Sequence, residues 1–115
     1  LGRHHDLVVT GGENVYPAEV ESEIERISGV RAACVFGIPY ETWGEIVCVA
    51  VVREAGVEVS PKDLSAHVVK KLASHKRPRR VAFLDELPMT GSGKVDRRRV
   101  REIASPLLAE IPKHG

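Results

Sequence analysis

The sequence has few aromatic residues: its 115 residues include two phenylalanines, two tyrosines and one tryptophan. Proteins that bind single-stranded nucleic acid usually stack bases on aromatic side chains that alternate with basic ones. Most of the aromatic residues here lie outside the basic part of the chain. A nucleic-acid-binding module is therefore only a remote alternative for this sequence.

Long apolar runs are also missing. The longest, residues 46–52, is too short to cross a bilayer, and nothing resembles a signal peptide. The chain opens at Leu1 without a methionine, so we expect it to be a piece of a larger protein. These features predict a soluble, cytoplasmic protein with no membrane segment.

Cysteine is scarce, since Cys34 and Cys48 are the only two. Two cysteines without CxxC spacing argue against a disulfide framework and against a zinc site. Both lie in apolar, strand-like runs, where cysteine usually behaves as a small buried hydrophobic residue. No metal site is predicted in this chain.

The net charge of +1 hides an uneven distribution. Residues 1–69 carry five basic and eleven acidic side chains, a net charge of −6, whereas residues 70–101 carry eleven basic and three acidic ones, a net charge of +8. The basic segment indicates either an anionic partner, such as a phosphorylated small molecule or nucleic acid, or a solvated basic face.

Apolar periodicity and turn residues predict a single α+β domain of two layers. Helices are predicted at residues 17–28, at 61–74 and from Asp96 onward, and strands at 7–9, 30–38, 45–53 and 80–84. The first strand ends at Gly11-Gly12, which favours an N-terminal β-hairpin. We therefore expect a mixed or antiparallel sheet of about three strands, this hairpin and about three helices.

Two helices carry further expectations. In the first, the glutamates at 19, 21, 23 and 25 are predicted to form a charged outer face rather than a metal site. In the third, Val100, Ile103 and Leu107 are predicted to face the core, and Pro106 is expected to break the helix.

The segment PMTGSGKV, residues 88–95, holds one lysine in a glycine-flanked loop. Gly91 and Gly93 permit a sharp bend, and the Lys94 ammonium is suited to phosphate oxygens. A P-loop is excluded because Pro88 and Val95 stand where that motif needs glycine and Ser or Thr. On its own the segment favours a polar turn whose lysine is merely solvated, since loop lysines are usually exposed.

Several motifs in order resemble the C-terminal domain of the adenylate-forming superfamily, which includes acyl-CoA synthetases, nonribosomal peptide adenylation domains and luciferases. They are GRHHD at 2–6, GGENVYPAEVE at 11–21, HKRP at 75–78, FLDELP at 83–88 and PMTGSGKVDRR at 88–98. The resemblance implies that residues 1–115 form a mobile lid whose large N-terminal domain, its partner, is absent from this sequence.

The resemblance implies two half-reactions: a carboxylic acid attacks ATP to form an acyl-adenylate, and a thiol then displaces AMP. Lys94 would be the catalytic lysine of the first half. Gly11 and Gly12 would leave room for the pantetheine arm of CoA in the second half.

The resemblance also implies roles for residues near the start of the chain. Arg3 resembles the family arginine near the nucleotide. The position two after it usually holds an Asp or Lys hinge, but here it is His5, so the hinge is assigned to His5 or Asp6.

Three further residues are implied in CoA binding. Arg77 would contact CoA phosphates, His75 would lie against the adenine, and Trp43 would border the pantetheine channel, although a lone tryptophan equally fits a packing role.

A carboxylic acid–CoA ligase is therefore predicted, with ATP and CoA as cosubstrates and Mg²⁺ accompanying ATP in the N-terminal domain. The alternative is a nonribosomal-peptide-type adenylation domain that loads a carrier protein.

Overall fold

A computed structural model describes residues 7–113 of the chain. The described part contains three α-helices and six strands. In chain order they are β1 (Val8–Thr10), β2 (Glu13–Val15), α1 (Pro17–Ile24), β3 (Val30–Tyr40), β4 (Gly44–Arg53), α2 (Pro61–Lys71), β5 (Arg80–Leu84), α3 (Arg97–Ala104) and β6 (Ala109–Glu110).

All six strands join one mixed sheet. Neighbouring strands follow the order β2-β1-β4-β5-β6. Strand β3 lies off this path and, in the described part of the chain, pairs only with β4. Strand β4 is antiparallel to β3 and parallel to β5, and α2 forms the crossover between the parallel strands. The predicted α+β class, the hairpin and the three long strands are confirmed.

The strand count differs from the prediction of about three. Strands β1 and β2 are the predicted hairpin, whereas β6 was not predicted. It is two residues long and exposed, so it carries no periodic signal, and it is recognisable only because Ala109 pairs with Val81 of β5.

Strand β4 is buried on both faces, which adds a layer to the predicted two. Its odd-numbered residues pack with residues of α1 and α2, and its even-numbered residues pack with residues of α3. The first set is Val47, Val49 and Val51, and the second is Ile46, Cys48 and Ala50. A continuous apolar run is typical of a strand covered on both sides.

The helix ends follow local signals in the sequence. Ser60 and Asp63 form a capping box at the start of α2, and the Asp96 carboxylate caps α3 by accepting from the Arg99 amide. Helices α1 and α2 end at Ile24 and Lys71, four and three residues before the predicted ends.

The prediction of which residues of the third helix face the core is partly wrong. Val100 is buried as predicted, but Ile103 and Leu107 are 38% and 56% exposed. The helix ends at Ala104, and Pro106 lies in a following 3₁₀ turn, so the helical period does not continue to Leu107. Ala104, fully buried, supplies the second core contact.

No helix in the described part of the chain is long and apolar enough to cross a membrane.

We expect neither thiol to react in the folded protein. Cys34 and Cys48 are 1% and 0% exposed. Burial raises the pKa of the Cys48 thiol from 9.0 to about 12, a rise that Arg80 partly offsets. The thiolate is the reactive form, so iodoacetamide at about pH 8.5 should label the protein only after denaturation. Rapid labelling of the native protein, measured by mass spectrometry, would contradict this burial.

The same shift affects stability. Between pH 9.0 and about 12 the unfolded Cys48 loses its proton while the folded one keeps it, so its contribution to stability falls as pH rises.

Candidate functional site

The β1–β2 hairpin turns at Gly11 and Gly12, whose φ angles are +57° and +82°. Two successive positive φ values are typical of the tight two-residue hairpin turn and favour glycine. A Cβ at either position would meet nothing within 4 Å, so the outer side of the turn is open. The Gly11 amide donates to the Trp43 carbonyl at 2.9 Å, which fixes the hairpin against the β3–β4 turn.

Trp43 lies between two side chains. The Arg79 guanidinium is 4.0 Å from the centre of its ring, and the Tyr40 ring centre is 5.8 Å away. Trp43 remains 38% exposed. Its ring therefore both packs within the domain and borders solvent. A packing role and a position beside the pantetheine channel are thus compatible.

His75 and Arg77 follow α2. His75 lies in a 3₁₀ turn, Ser74–Lys76, with its Nε2 3.9 Å from a Glu13 carboxylate oxygen. The Arg77 side chain donates to the carbonyls of Leu72 at 2.9 Å and Val69 at 3.2 Å, which are at the C-terminal end of α2. Arg77 therefore caps this helix, a structural role that the sequence did not indicate.

A groove of about 670 Å³ brings four predicted site residues together. Gly11, Trp43, His75 and Arg77 all line it, together with residues 111–113 of the C-terminal segment. Gly12 and Lys94 are not part of its lining. Four of the five predicted CoA-binding residues thus line one groove, and the predicted catalytic lysine does not line it.

The C-terminal segment was not predicted to contribute to the site. The hydroxyl of buried Ser65 donates to the Pro112 carbonyl at 2.6 Å, and the Ile111 amide donates to the Arg79 carbonyl at 2.9 Å. These bonds hold the segment along the groove. No motif marks it, because it is fixed by contacts between residues distant in sequence.

The basic side chains of residues 76–80 are less available to bind an anionic ligand than their number suggests. Lys76 pairs with Glu19 and Arg80 with Glu110, each at 2.9 Å. Arg79 covers Trp43, and Arg77 caps α2. A ligand in the groove would therefore meet partly neutralised groups rather than a row of unpaired cations.

Lys94 lies in a separate, closed hairpin. Met89 and Val95 form a β-bridge, and the Thr90 amide donates to the Lys94 carbonyl at 2.6 Å. The Gly93 amide donates to the Thr90 carbonyl at 3.0 Å. These bonds define the shape of the loop, for which the sequence predicted only a sharp bend.

The Lys94 side chain is exposed, and within residues 7–113 its ammonium group forms no hydrogen bond or ion pair. Gly93 has a φ of +86°, which allows the chain to reverse just before the lysine, whereas Gly91 has no positive φ. The loop therefore presents one cation to solvent on a defined turn.

The four glutamates predicted to form a charged outer face are bonded to other parts of the fold. Glu21 accepts from the Val35 amide at 2.7 Å and Glu25 from the Ala33 amide at 3.1 Å, while Glu23 lies 3.2 Å from His67. Glu19 and Glu21 also pair with basic side chains. Because β3 is an edge strand, its outward amides need partners, and α1 supplies them.

Three predicted residues, Arg3, His5 and Asp6, lie outside the described part of the chain, and their assignments stay predictions. Among residues 7–113, no three side chains of His, Cys, Asp or Glu come together so as to hold a metal ion.

Residues 19–94 match the family model of the AMP-binding enzyme C-terminal domain. The chain belongs to this family. Among curated relatives, it is 46% identical over 100 residues to a fatty acid–[acyl-carrier-protein] ligase, ScoC, of Streptomyces coeruleorubidus, and 43% identical over 101 residues to a feruloyl-CoA synthase of Amycolatopsis sp. These alignments cover 87% and 88% of this chain but only 19% and 21% of the relatives.

Solved structures agree with the fold. MatB from Rhodopseudomonas palustris with ATP bound has a TM-score of 0.83 and 42% identity, covering 90% of this chain and 20% of MatB. The apo form of the same protein gives the same TM-score at 43% identity.

Proposed function

We propose that residues 1–115 form the C-terminal domain of an ATP-dependent carboxylic acid–CoA ligase with a large N-terminal domain. The observation that carries this proposal is the separation of two surfaces. Gly11, Trp43, His75 and Arg77 line one groove, whereas Lys94 lies on a hairpin that does not line it. The family membership and the ligase and synthase names of the relatives support the same assignment.

In the first half-reaction, the proposed role of Lys94 is electrostatic. Attack of a carboxylate on the α-phosphate of ATP forms the acyl-phosphate bond and releases pyrophosphate. Negative charge increases between the two groups in the transition state, and an ammonium group placed there stabilises it. Lys94 is exposed and suited to this role, because within residues 7–113 it forms no ion pair that must first be broken.

In the second half-reaction, the groove is proposed to guide CoA to the adenylate. Its pantetheine arm would pass the open turn at Gly11 and Gly12 beside Trp43. Arg77 uses part of its guanidinium to cap α2, and its remaining N–H groups would contact a CoA phosphate, with His75 beside the adenine. The thiol then attacks the acyl carbon, and AMP leaves.

Because the two surfaces are separate, one active site would receive them in turn. The domain is therefore proposed to rotate on its N-terminal partner between half-reactions, about a hinge at His5 or Asp6, with Arg3 near the nucleotide. Residues 7–113 do not provide an acidic cluster for Mg²⁺. The metal that accompanies ATP is assigned to the N-terminal domain.

A carrier-protein acceptor is the second candidate. ScoC is named as a ligase for an acyl carrier protein, and a carrier's phosphopantetheine arm ends in the same thiol as CoA. CoA is favoured because Arg77 lines the groove and keeps N–H groups that could contact the phosphates of CoA.

The test is to assay the full-length protein with ATP, a panel of carboxylic acids and either CoA or a phosphopantetheinylated carrier. We expect acid-dependent pyrophosphate release followed by thioester formation with CoA. Residues 1–115 alone should release no pyrophosphate, since one side of a cleft cannot position all reactants. Turnover by residues 1–115, or a full-length protein with no acid-dependent pyrophosphate release, would refute the proposal.

A further inference from the structure

Two helices that follow the two proposed functional loops meet at one point of the sheet. Helix α1 follows the Gly11-Gly12 hairpin, and helix α3 begins three residues after Lys94. Glu21 of α1 and Arg97 of α3 both bond to Val35, on the free edge of β3. The edge of this strand thus connects α1 with the start of α3.

The contacts form a closed ring. A Glu21 carboxylate oxygen accepts from the Val35 amide at 2.7 Å, and an Arg97 guanidinium nitrogen donates to the Val35 carbonyl at 2.6 Å. The same guanidinium nitrogen also donates to the same Glu21 oxygen. The Arg97 and Glu21 side chains are only 27% and 18% exposed, so solvent screens the pair less than a surface ion pair.

This ring is placed at the base of the Lys94 hairpin. The Asp96 amide, directly before Arg97, donates to the Pro88 carbonyl at 2.9 Å and closes the hairpin. Helix α3 has only eight residues, too few to be stable without tertiary contacts. Arg97 supplies such a contact at the first residue of the helix, directly after the residue that closes the hairpin.

We propose that Arg97, held by Glu21 and the Val35 carbonyl, is a positioning residue for Lys94. It acts by fixing the base of the lysine hairpin and does not contact substrate. The inference rests on the proposed role of Lys94 in adenylation. A displacement of the ammonium by about 1 Å is enough to cost as much as 100-fold in rate.

The first test follows amide hydrogen exchange of the full-length protein by mass spectrometry. In Arg97→Ala, peptides that cover residues 88–96 should exchange about tenfold faster than in the wild type, because the hairpin loses its anchor. Peptides from β4 should be unchanged, which shows that the fold is intact. Arg98→Ala is the matched control, since Arg98 is exposed on the same helix. Unchanged exchange at 88–96 in Arg97→Ala would overturn the proposal.

The second test separates the half-reactions. Arg97→Ala should lower kcat for adenylation roughly 10-fold to 100-fold, with the KM for ATP and transfer from a supplied acyl-adenylate unchanged. Arg97→Lys, which keeps the charge but loses the planar fork, should recover part of the rate. Glu21→Gln, which keeps an acceptor for the Val35 amide, should show the same selective defect in milder form.

The outcomes distinguish this inference from the function on which it rests. A normal adenylation rate in Lys94→Ala would refute the proposed function. An adenylation defect in Lys94→Ala but not in Arg97→Ala would refute only the positioning role. Equal losses in both half-reactions of Arg97→Ala would assign Arg97 to general stability and also overturn the proposal.

Discussion

Lys94→Ala in the full-length protein is expected to slow acyl-adenylate formation by about 100-fold to 1000-fold, the usual cost of losing one preorganised transition-state donor. The loop itself should keep its shape, because its bonds involve the backbone and the Thr90 hydroxyl rather than the ammonium group. The measurement is acid-dependent ATP–pyrophosphate exchange.

Transfer from a supplied acyl-adenylate to CoA should proceed near the wild-type rate in the same variant, since Lys94 does not line the groove. Lys62→Ala is the matched control: Lys62 is exposed at the start of α2, on another element of the domain, and should have no effect on either step. An equal loss in both steps would mean that Lys94 is not specific to adenylation.

The sequence predicted most of the fold because the long elements carry strong local signals. The strand predicted at residues 45–53 is β4, and the helix predicted from residue 61 is α2, which begins at Pro61 after the Ser60 cap. Burial of β4 on both faces was not predicted, because the position of α3 on the second face depends on tertiary packing. Strand β6 was missed because its two residues are defined only by their partner β5.

The sequence predicted individual site residues but not how they are arranged in space. Family motifs identified Gly11, Trp43, His75 and Arg77, yet only the structure brings them to one groove. The capping role of Arg77 and the contact of Arg79 with Trp43 join residues whose relation has no periodic signal in the sequence. A side chain's partner across the fold is decided by tertiary packing.

The acidic residues of α1 show the limit of pattern reasoning most clearly. Alternating glutamates usually form a solvated face, and an outward position on the helix does agree with that pattern. The missing information was that β3 is an edge strand. Its unpaired backbone groups at Ala33 and Val35 require partners, and Glu25 and Glu21 are within reach.

Gly12→Leu should produce the reverse of the lysine defect. A Cβ added at Gly12 would meet nothing within 4 Å, and the side chain of a leucine there would extend beside the proposed path of the pantetheine arm. We expect acyl-adenylate formation near the wild-type rate and transfer to CoA slower by roughly 10-fold to 100-fold, the scale of a misplaced reactant. Single-turnover assays of each half-reaction measure this.

The control for Gly12→Leu must account for backbone strain, because a leucine at a φ of +82° costs about 1–2 kcal/mol wherever it occurs. Gly56→Leu provides it: Gly56 has a φ of +77°, and a Cβ there would also meet nothing within 4 Å. Gly56 lies between β4 and α2, outside the Gly11-Gly12 hairpin. Both variants should lose similar stability, but only Gly12→Leu should slow transfer. If the two variants behaved alike, or if Gly12→Leu slowed adenylation as much as transfer, the groove would not be the path of the thiol.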